Sequence, residues 1–290
     1  MRIAVHGKEF NRVSAPFIIN IFEILTRLKA DLIVSSKFAQ YLKKPLGNLG
    51  FQVYEPGADL SQIELFISVG GDGTLLEAIT HIGKSQIPVL GINTGRLGFL
   101  ATVSKAETEQ ALNHIFEGAF TIDKRAVLKL ETNKDIFGSL NFALNDCTVV
   151  KKDSSSMITI HTYIDGEFLN SYWADGIIIA TPTGSTGYSL SCGGPLIFPR
   201  SGNFVITPVS AHNLTVRPIV VADNCNISIE VEGRSKKFLV SLDSRMASVD
   251  ASIKLKIMKA DFNVHLVQLE THHYFKTLRQ KLNWGLDVRN

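Results

Sequence analysis

Cysteine is scarce in this chain: Cys147, Cys192 and Cys225 are the only three in 290 residues. Their odd number and wide spacing exclude a disulfide framework and the paired spacing of a zinc ribbon, and point to a reducing compartment. No run reaches the ~18 consecutive apolar residues of a membrane-spanning helix. The opening MRIAVHGKEF holds no apolar stretch of signal-peptide length. The expectation is a cytoplasmic protein with no membrane partner. Excess charge of one sign is also missing. Lys and Arg number 30 against 27 Asp and Glu, leaving +3 at pH 7 and a pI near 8.7. That balance is too mild to imply nucleic acid. The basic cluster at 234–237 reads as a solvated hairpin turn. Repeats and low-complexity segments are absent as well. What is present is ordinary globular usage, 45% hydrophobic and 20% charged, in a length that suits one large domain or two medium ones.

The first hundred residues alternate in texture. RIAVHG, DLIVSS, FQVYEP, LFISVGG and PVLGIN read as strands. Between them, residues 15–30 place Ile18, Ile21, Phe22, Ile24, Leu25 and Leu28 at helical spacing, and LLEAITHIG (75–83) is helical. Buried strands alternating with helices predict a parallel sheet covered on both faces. A helix at 105–118 follows, and then strand signals crowd together from AVLKLET to SIKLKIM. That crowding predicts a β-rich, sandwich-like second domain. DGE at 165–167 and EGR at 232–234 read as hairpin turns. The last twenty residues return to a helical pattern, with Tyr274, Phe275, Leu278 and Leu282 on one face. The expected division is an α/β domain over 1–103, joined by a C-terminal helix within 271–290, and a β-rich domain over 104–270.

Residues 69–77, VGGDGTLLE, sit where a strand stops and a helix starts. Gly70, Gly71 and Gly73 can adopt positive φ and let backbone approach a ligand closely. Thr74 and Glu77 fit a capping box. The carboxyl end of a strand in an open α/β sheet is where ligands bind, and a helix N-terminus favours phosphate. An acid among those glycines is unexpected for a loop that only cradles phosphate. Asp72 suits a transfer reaction in which it receives a proton from an attacking hydroxyl or holds a metal ion. A tight turn capped by its own acid is the structural alternative.

Two near-matches fail. AITHIGKS (78–85) has Ala78 in place of the first glycine of a phosphate-binding G-x-x-x-x-G-K-[ST] loop and lies in a helix and its end. TGSTG (183–187) has Thr183 in place of the first glycine of a nucleophile elbow. His272 and His273 are adjacent, so their side chains diverge. His81 and His114 read as surface or packing residues. No metal cage formed by protein ligands alone is visible in the sequence.

GGDGT (70–74) is followed by GINTGRLGFLA (91–101), LNDCTV (144–149) and DGIIIATPTGSTGYSLSCGGP (175–195), with RQKLNWG near the end. This set, in this order, resembles the NAD kinase family from about residue 65 onward. GGDGT alone is shared with lipid kinases, and a close variant occurs in 6-phosphofructokinase. The resemblance implies a 6-phosphofructokinase-like α/β domain, a β-rich domain, and NAD held in the cleft between them. It implies transfer of the γ-phosphoryl group of ATP, or of polyphosphate, to the adenosine-ribose 2′-hydroxyl of NAD, giving NADP. A divalent cation, usually Mg2+, and a homodimer or homotetramer are implied too.

Residue by residue, the resemblance makes Asp72 the general base, with Gly73 lining the same pocket and Phe99 packing near the adenosine. Asn145 and Asp146 match the pair that holds NAD. Asp175 matches the acid at the nicotinamide end, and Thr183, Thr186, Gly187, Tyr188 and Ser191 match the adenine-pocket segment. Gly70, Gly71, Arg96, Ser244 and Arg245 are candidates for contact with phosphate. Two departures stand out. Trp173 occupies a position where many relatives carry arginine, and Ser244–Arg245 replaces a common Gly-Gln, so Arg245 could supply the missing positive charge. Two other readings stay open: a lipid or sugar kinase using the same loop, and a non-catalytic nucleotide-binding protein.

Overall fold

The structure, a computed structural model, describes residues 1–46, 51–95, 98–152, 156–234, 237–270 and 273–285. The chain divides into two compact units, one formed by residues 1–124 with 264–290, the other by 125–263.

The first unit opens with β1 (Arg2–Gly7), α1 (Ala15–Arg27), β2 (Asp31–Ser35), α2 (Ser36–Leu46) and β3 (Gln52–Tyr54). It continues with β4 (Leu65–Gly70), α3 (Asp72–Ile82), β5 (Val89–Asn93) and α4 (Thr108–Phe116). The strands run parallel in the order β5-β4-β1-β2-β3. Every residue of β4 and β5 is buried, as a parallel sheet covered on both faces requires. Successive strand residues point to opposite faces. Ile67 joins a core with Ile18 and Phe22 of α1, Phe38 and Leu42 of α2, and Leu112 and Ile115 of α4. Its neighbour Phe66 faces the other way, toward His81 of α3 and Tyr54. Helix α2 escaped the sequence reading; among its described side chains Phe38, Ala39 and Leu42 are buried. Helix α4, which the sequence placed at the start of the second domain, packs with α1 in this unit.

The remaining elements are β6 (Thr121–Thr132), β7 (Phe142–Ala143), β8 (Asp146–Lys151), β9 (Ile158–Ile164), β10 (Glu167–Ala174), β11 (Gly176–Ala180) and α5 (Tyr188–Ser191). Then come β12 (Asn203–Val209), β13 (Ile219–Ala222), β14 (Ile227–Gly233), β15 (Lys237–Leu242), β16 (Arg245–Asp250), β17 (Leu255–Gln268) and α6 (Tyr274–Leu282). In the second unit one antiparallel sheet runs β13-β12-β11-β8-β15-β16. The other runs β10-β9-β14-β17, with β6 on β17 and β7 on β6. Both sheets feed one core, which includes Val149, Ile177, Phe204 and Phe238 from the first and Ile160, Ile227 and Ile257 from the second. An α/β unit with a parallel sheet and a β-rich unit are what the patterning predicted.

The turn at 165–167 is a hairpin, with Asp165 and Gly166 both at positive φ (50° and 86°) between paired β9 and β10, the signature of a primed turn. EGR at 232–234 is not one. β14 pairs with β9 and β17, whereas β15 pairs with β8 and β16, so the chain changes sheets there. Ser235 and Lys236 of that basic cluster, and His272, lie outside the described residues. Helix α6 buries Thr277 and Leu278, while Phe275 is 58% exposed. Its apolar face is therefore narrower than the spacing predicted.

Candidate active site

In the first unit, α3 begins at Asp72 with Gly71 as its cap residue, three residues earlier than a cap at Thr74 would place it. Thr74 is buried inside the helix, and Glu77 turns to Lys8 (3.2 Å) and Lys37 (2.9 Å). The T-x-x-E pattern is therefore not a capping box here. Nor do the glycines serve a left-handed turn: among Gly70, Gly71 and Gly73 only Gly70 has positive φ, at 159°, essentially extended. Close approach requires Gly70 alone of the three. A Cβ on Gly70 would lie 2.2 Å from Thr74 Oγ1, whereas one on Gly71 or Gly73 would meet nothing within 4 Å. The latter pair leaves open space over the backbone at the helix start, where partial positive charge gathers.

The carboxylate of Asp72 is tied to the segment after β5. Its Oδ2 accepts the Phe99 N–H at 2.8 Å, and its Oδ1 accepts those of Leu100 (3.0 Å) and Ala101 (2.9 Å). A carboxylate has about four acceptor positions, so Oδ2 keeps one. Gly98 is what lets the segment close on the acid, since a Cβ there would stand 1.9 Å from Asp72 Oδ1. Phe99 is half-buried, with Lys281 Nζ over its ring at 5.8 Å. Lys8, just after β1, donates to the Gly73 carbonyl at 3.2 Å. Arg96 lies outside the described residues.

In the second unit, the turn carrying Asn145 and Asp146 is gripped by Asp243, which sits with φ 52° in the two-residue hairpin joining β15 to β16. Its carboxylate accepts the N–H groups of Leu144 (3.0 Å), Asn145 (2.8 Å) and Asp146 (3.3 Å). Burial, and then the neighbouring Asp243, push the Asp146 carboxyl up to about 7. Asn145 Oδ1 is buried and has no hydrogen-bond partner, an acceptor ready for an incoming donor.

The 183–191 segment folds against the same turn. Thr181 donates to the Asn145 carbonyl through its N–H (2.8 Å) and to the Leu144 carbonyl through its hydroxyl (2.5 Å). A Cβ on Gly184 would sit 2.1 Å from the Asn145 carbonyl oxygen. The Thr183 hydroxyl accepts from Arg125 at 3.2 Å, and Thr186 Oγ1 donates to the Thr183 carbonyl at 3.1 Å. Gly187 donates to the Gly184 carbonyl at 2.9 Å, and Ser191 is exposed. Tyr188 is 44% exposed. Partial burial raises its phenol pKa first, and Cys192, Asp175 and Asp146 add to the rise. The two carboxylates and the phenol therefore share one neighbourhood. Ser185, the central serine of TGSTG, is fully buried; it donates to the Pro182 carbonyl (2.7 Å) and accepts the Ile197 N–H (3.0 Å). It is structural, not nucleophilic.

Two cations differ from expectation. The Arg245 guanidinium donates to the Leu140 and Phe142 carbonyls and lies 5.4 Å from the Phe142 ring, with Asp243 at 3.9 Å. It is turned inward rather than offered to phosphate, and Ser244 beside it completes the hairpin turn. Asp175 pairs with Lys151 at 2.6 Å. Sequence reasoning missed that lysine, which the fold sets against the Asp175 carboxylate. Trp173 is 53% exposed, and its ring lies 5.1 Å from that of His212.

Among the described residues no helix is long and apolar enough to cross a membrane. Comparison with known proteins bears on the reaction. Residues 54–120 match the family profile of the ATP-NAD kinase N-terminal domain, and residues 144–269 that of the C-terminal domain. An NAD kinase of Cytophaga hutchinsonii is 50% identical over 292 residues, covering 100% of both chains. One from Flavobacterium psychrophilum is 48% identical with the same coverage. Among solved structures, an NAD kinase from Archaeoglobus fulgidus in complex with ATP has TM-score 0.75 and 26% identity, covering 98% of this chain and 99% of that one. A yeast NADH kinase complexed with NADH has TM-score 0.87 at 23% identity, covering 100% of this chain and 89% of that one; it is similar in fold. The glycine-cradled acid, the braced Asn–Asp turn and full-length identity of this order converge on one assignment: the chain belongs to the NAD kinase family.

Proposed function

We propose that this chain transfers the γ-phosphoryl group of ATP, or of inorganic polyphosphate, to the 2′-hydroxyl of the adenosine ribose of NAD, producing NADP. The observation that carries the choice of acceptor is the buried, unpartnered Oδ1 of Asn145 beside Asp146. An amide acceptor next to an acid suits the hydroxyls and amino edge of a nucleoside. Thr183, Thr186, Gly187 and Ser191 border the adenine, Tyr188 offers it a flat face, and Asp175 serves the nicotinamide end. In the first unit, Gly70, Gly71 and Gly73 receive donor phosphate at the start of α3, with Phe99 near the adenosine.

Asp72 acts as the base. In phosphoryl transfer the attacking hydroxyl gives up its proton late, and Oδ2, with one acceptor position left, takes it. The N–H groups of Phe99, Leu100 and Ala101 hold the carboxylate in place for that step. A magnesium ion fits as a companion of the nucleotide. The ion would be held by the nucleotide's phosphate oxygens and would neutralise their charge, leaving the last acceptor position of Asp72 to the hydroxyl proton. The free thiols accord with a cytoplasmic enzyme, and a homodimer or homotetramer completes the proposal.

The test is direct: purified protein, ATP, magnesium and NAD, with NADP measured as product, and NADH and polyphosphate as substitutes. NADP formation is expected. No NADP, with transfer to a sugar or lipid alcohol instead, would remove NAD as the acceptor.

A further inference from the structure

His6, Glu77 and His81 gather in the first unit in an arrangement the transfer reaction does not use. Their metal-capable atoms lie within 4.8 Å of one another. His6, the second-last residue of β1, is fully buried, while Glu77 and His81 are four residues apart and so share a face of α3. The two imidazole centroids are 4.6 Å apart, and His6 Nε2 stands 3.8 Å from Glu77 Oε1. That Nε2 has no hydrogen-bond partner. A buried imidazole nitrogen left unpaired and aimed at a carboxylate and a second imidazole is costly unless something fills the gap.

The surroundings are those of a ligand set. Each ring has its Nδ1 engaged by a hydroxyl, His6 by Ser35 Oγ at 2.8 Å and His81 by the Tyr54 hydroxyl at 3.3 Å. Outer-shell bonds of this kind fix ring orientation and leave Nε2 for a metal. Glu77 Oε1 takes Lys37 (2.9 Å) and Oε2 takes Lys8 (3.2 Å). Each carboxylate oxygen has about two acceptor directions, so both lysines leave room for a further bond. Two ammonium groups nearby still oppose a cation, so the affinity is modest.

We propose that His6, Glu77 and His81 bind a divalent transition-metal ion of the zinc class, joining β1 to α3, the helix whose first residue is Asp72. Two imidazoles and one carboxylate suit such an ion and do not suit magnesium, which selects oxygen. The sequence reading saw no cage because one ligand lies some seventy residues from the other two, and E-x-x-x-H alone is a weak signal.

The test uses the full chain, stripped with a chelator and titrated with Zn2+ by calorimetry and with Co2+ by visible absorption. One ion per chain is expected, with cobalt bands of nitrogen–oxygen type and no thiolate charge transfer. Because His6 is buried and its replacement could disturb folding, the informative variants are His81→Ala and Glu77→Gln. Each is expected to weaken Zn2+ binding by at least about tenfold, the scale on which even outer-shell partners act. Cys192→Ser is expected to leave binding unchanged. Unaltered stoichiometry and affinity in His81→Ala, a thiolate band, or no binding by the parent chain would each overturn the proposal. None of these readouts depends on the transfer reaction.

Discussion

Asp243 holds Asn145 from the far side of a hairpin: its Oδ1 accepts the Asn145 N–H at 2.8 Å across a separation of 98 residues. The same carboxylate accepts the N–H groups on either side. Replacing Asp243 with Ala orphans three backbone donors, at about 1–3 kcal/mol for each buried group left unpaired. The expected outcome is a lower urea midpoint and a raised KM for NAD, with kcat less affected. A variant with parental stability and KM would show that the turn holds itself.

Asp146 gives a pH dependence with a defined sign. Its carboxyl is raised to about 7 by burial and by Asp243. The folded chain therefore keeps this proton at pH values where the unfolded chain has lost it. Stability falls as pH rises from the ordinary carboxyl range to about 7, by up to ~1.4 kcal/mol per pH unit for one proton, and this contribution is flat above. Asp243, also raised by burial, adds a contribution of the same sign. Asp146→Asn is expected to unfold at higher urea than the parent at pH 8 and to flatten the slope between pH 5.5 and 7. An unchanged slope would remove Asp146 as its source.

The glycines separate packing from ligand space. Gly98→Ala drives a methyl into the Asp72 carboxylate, 1.9 Å from Oδ1, and is expected to lower stability by about 1–3 kcal/mol. Gly73→Ala meets nothing within 4 Å and lies in a helix, where alanine is favoured by up to about 1 kcal/mol. It is expected to hold or raise the melting temperature while raising KM for ATP. Parallel thermal melts and donor titrations decide the matter; an unchanged KM in Gly73→Ala would mean that phosphate does not lie over that backbone.

Asp72→Asn tests the base. An amide offers one acceptor oxygen where the carboxylate offers two, so the hold on Leu100 and Ala101 or on Phe99 is weakened as well. The expected result is a fall in kcat of about 10²-fold or more, with the NAD dissociation constant little changed. Turnover near the parental rate would be fatal to the assignment.

Much of this molecule is legible along the chain. Ile18, Ile21, Phe22, Ile24 and Leu25 mark α1 by spacing alone and are all buried, and the fully buried β4 and β5 stand out as mainly apolar runs, with Ser68 and Asn93 their polar residues. The glycine-flanked acid stands out as the candidate site. What eludes a linear reading is the partner of each polar group. Asp72 meets N–H groups 27 to 29 residues away, and Asp243 is remote from the turn it braces. Arg245 reads as an outward cation, yet two carbonyls draw it inward, because strand register decides which way a side chain faces. Lys151 gains its meaning only once β8 and β11 are paired and Asp175 lies beside it.

On the proposed function, the cation beside the glycine loop has a consequence for solution conditions. Lys8 reaches the Gly73 carbonyl on a side chain 45% exposed, and mobile ions screen charges at the surface within about 8–10 Å. Attraction of a polyanionic donor therefore fades as potassium chloride is added, while recognition by the uncharged, sheltered Asn145 amide does not. Ionic strength thus acts more strongly on the donor, which carries more negative charge than the NAD diphosphate, so KM for ATP climbs more steeply than KM for NAD across a salt series.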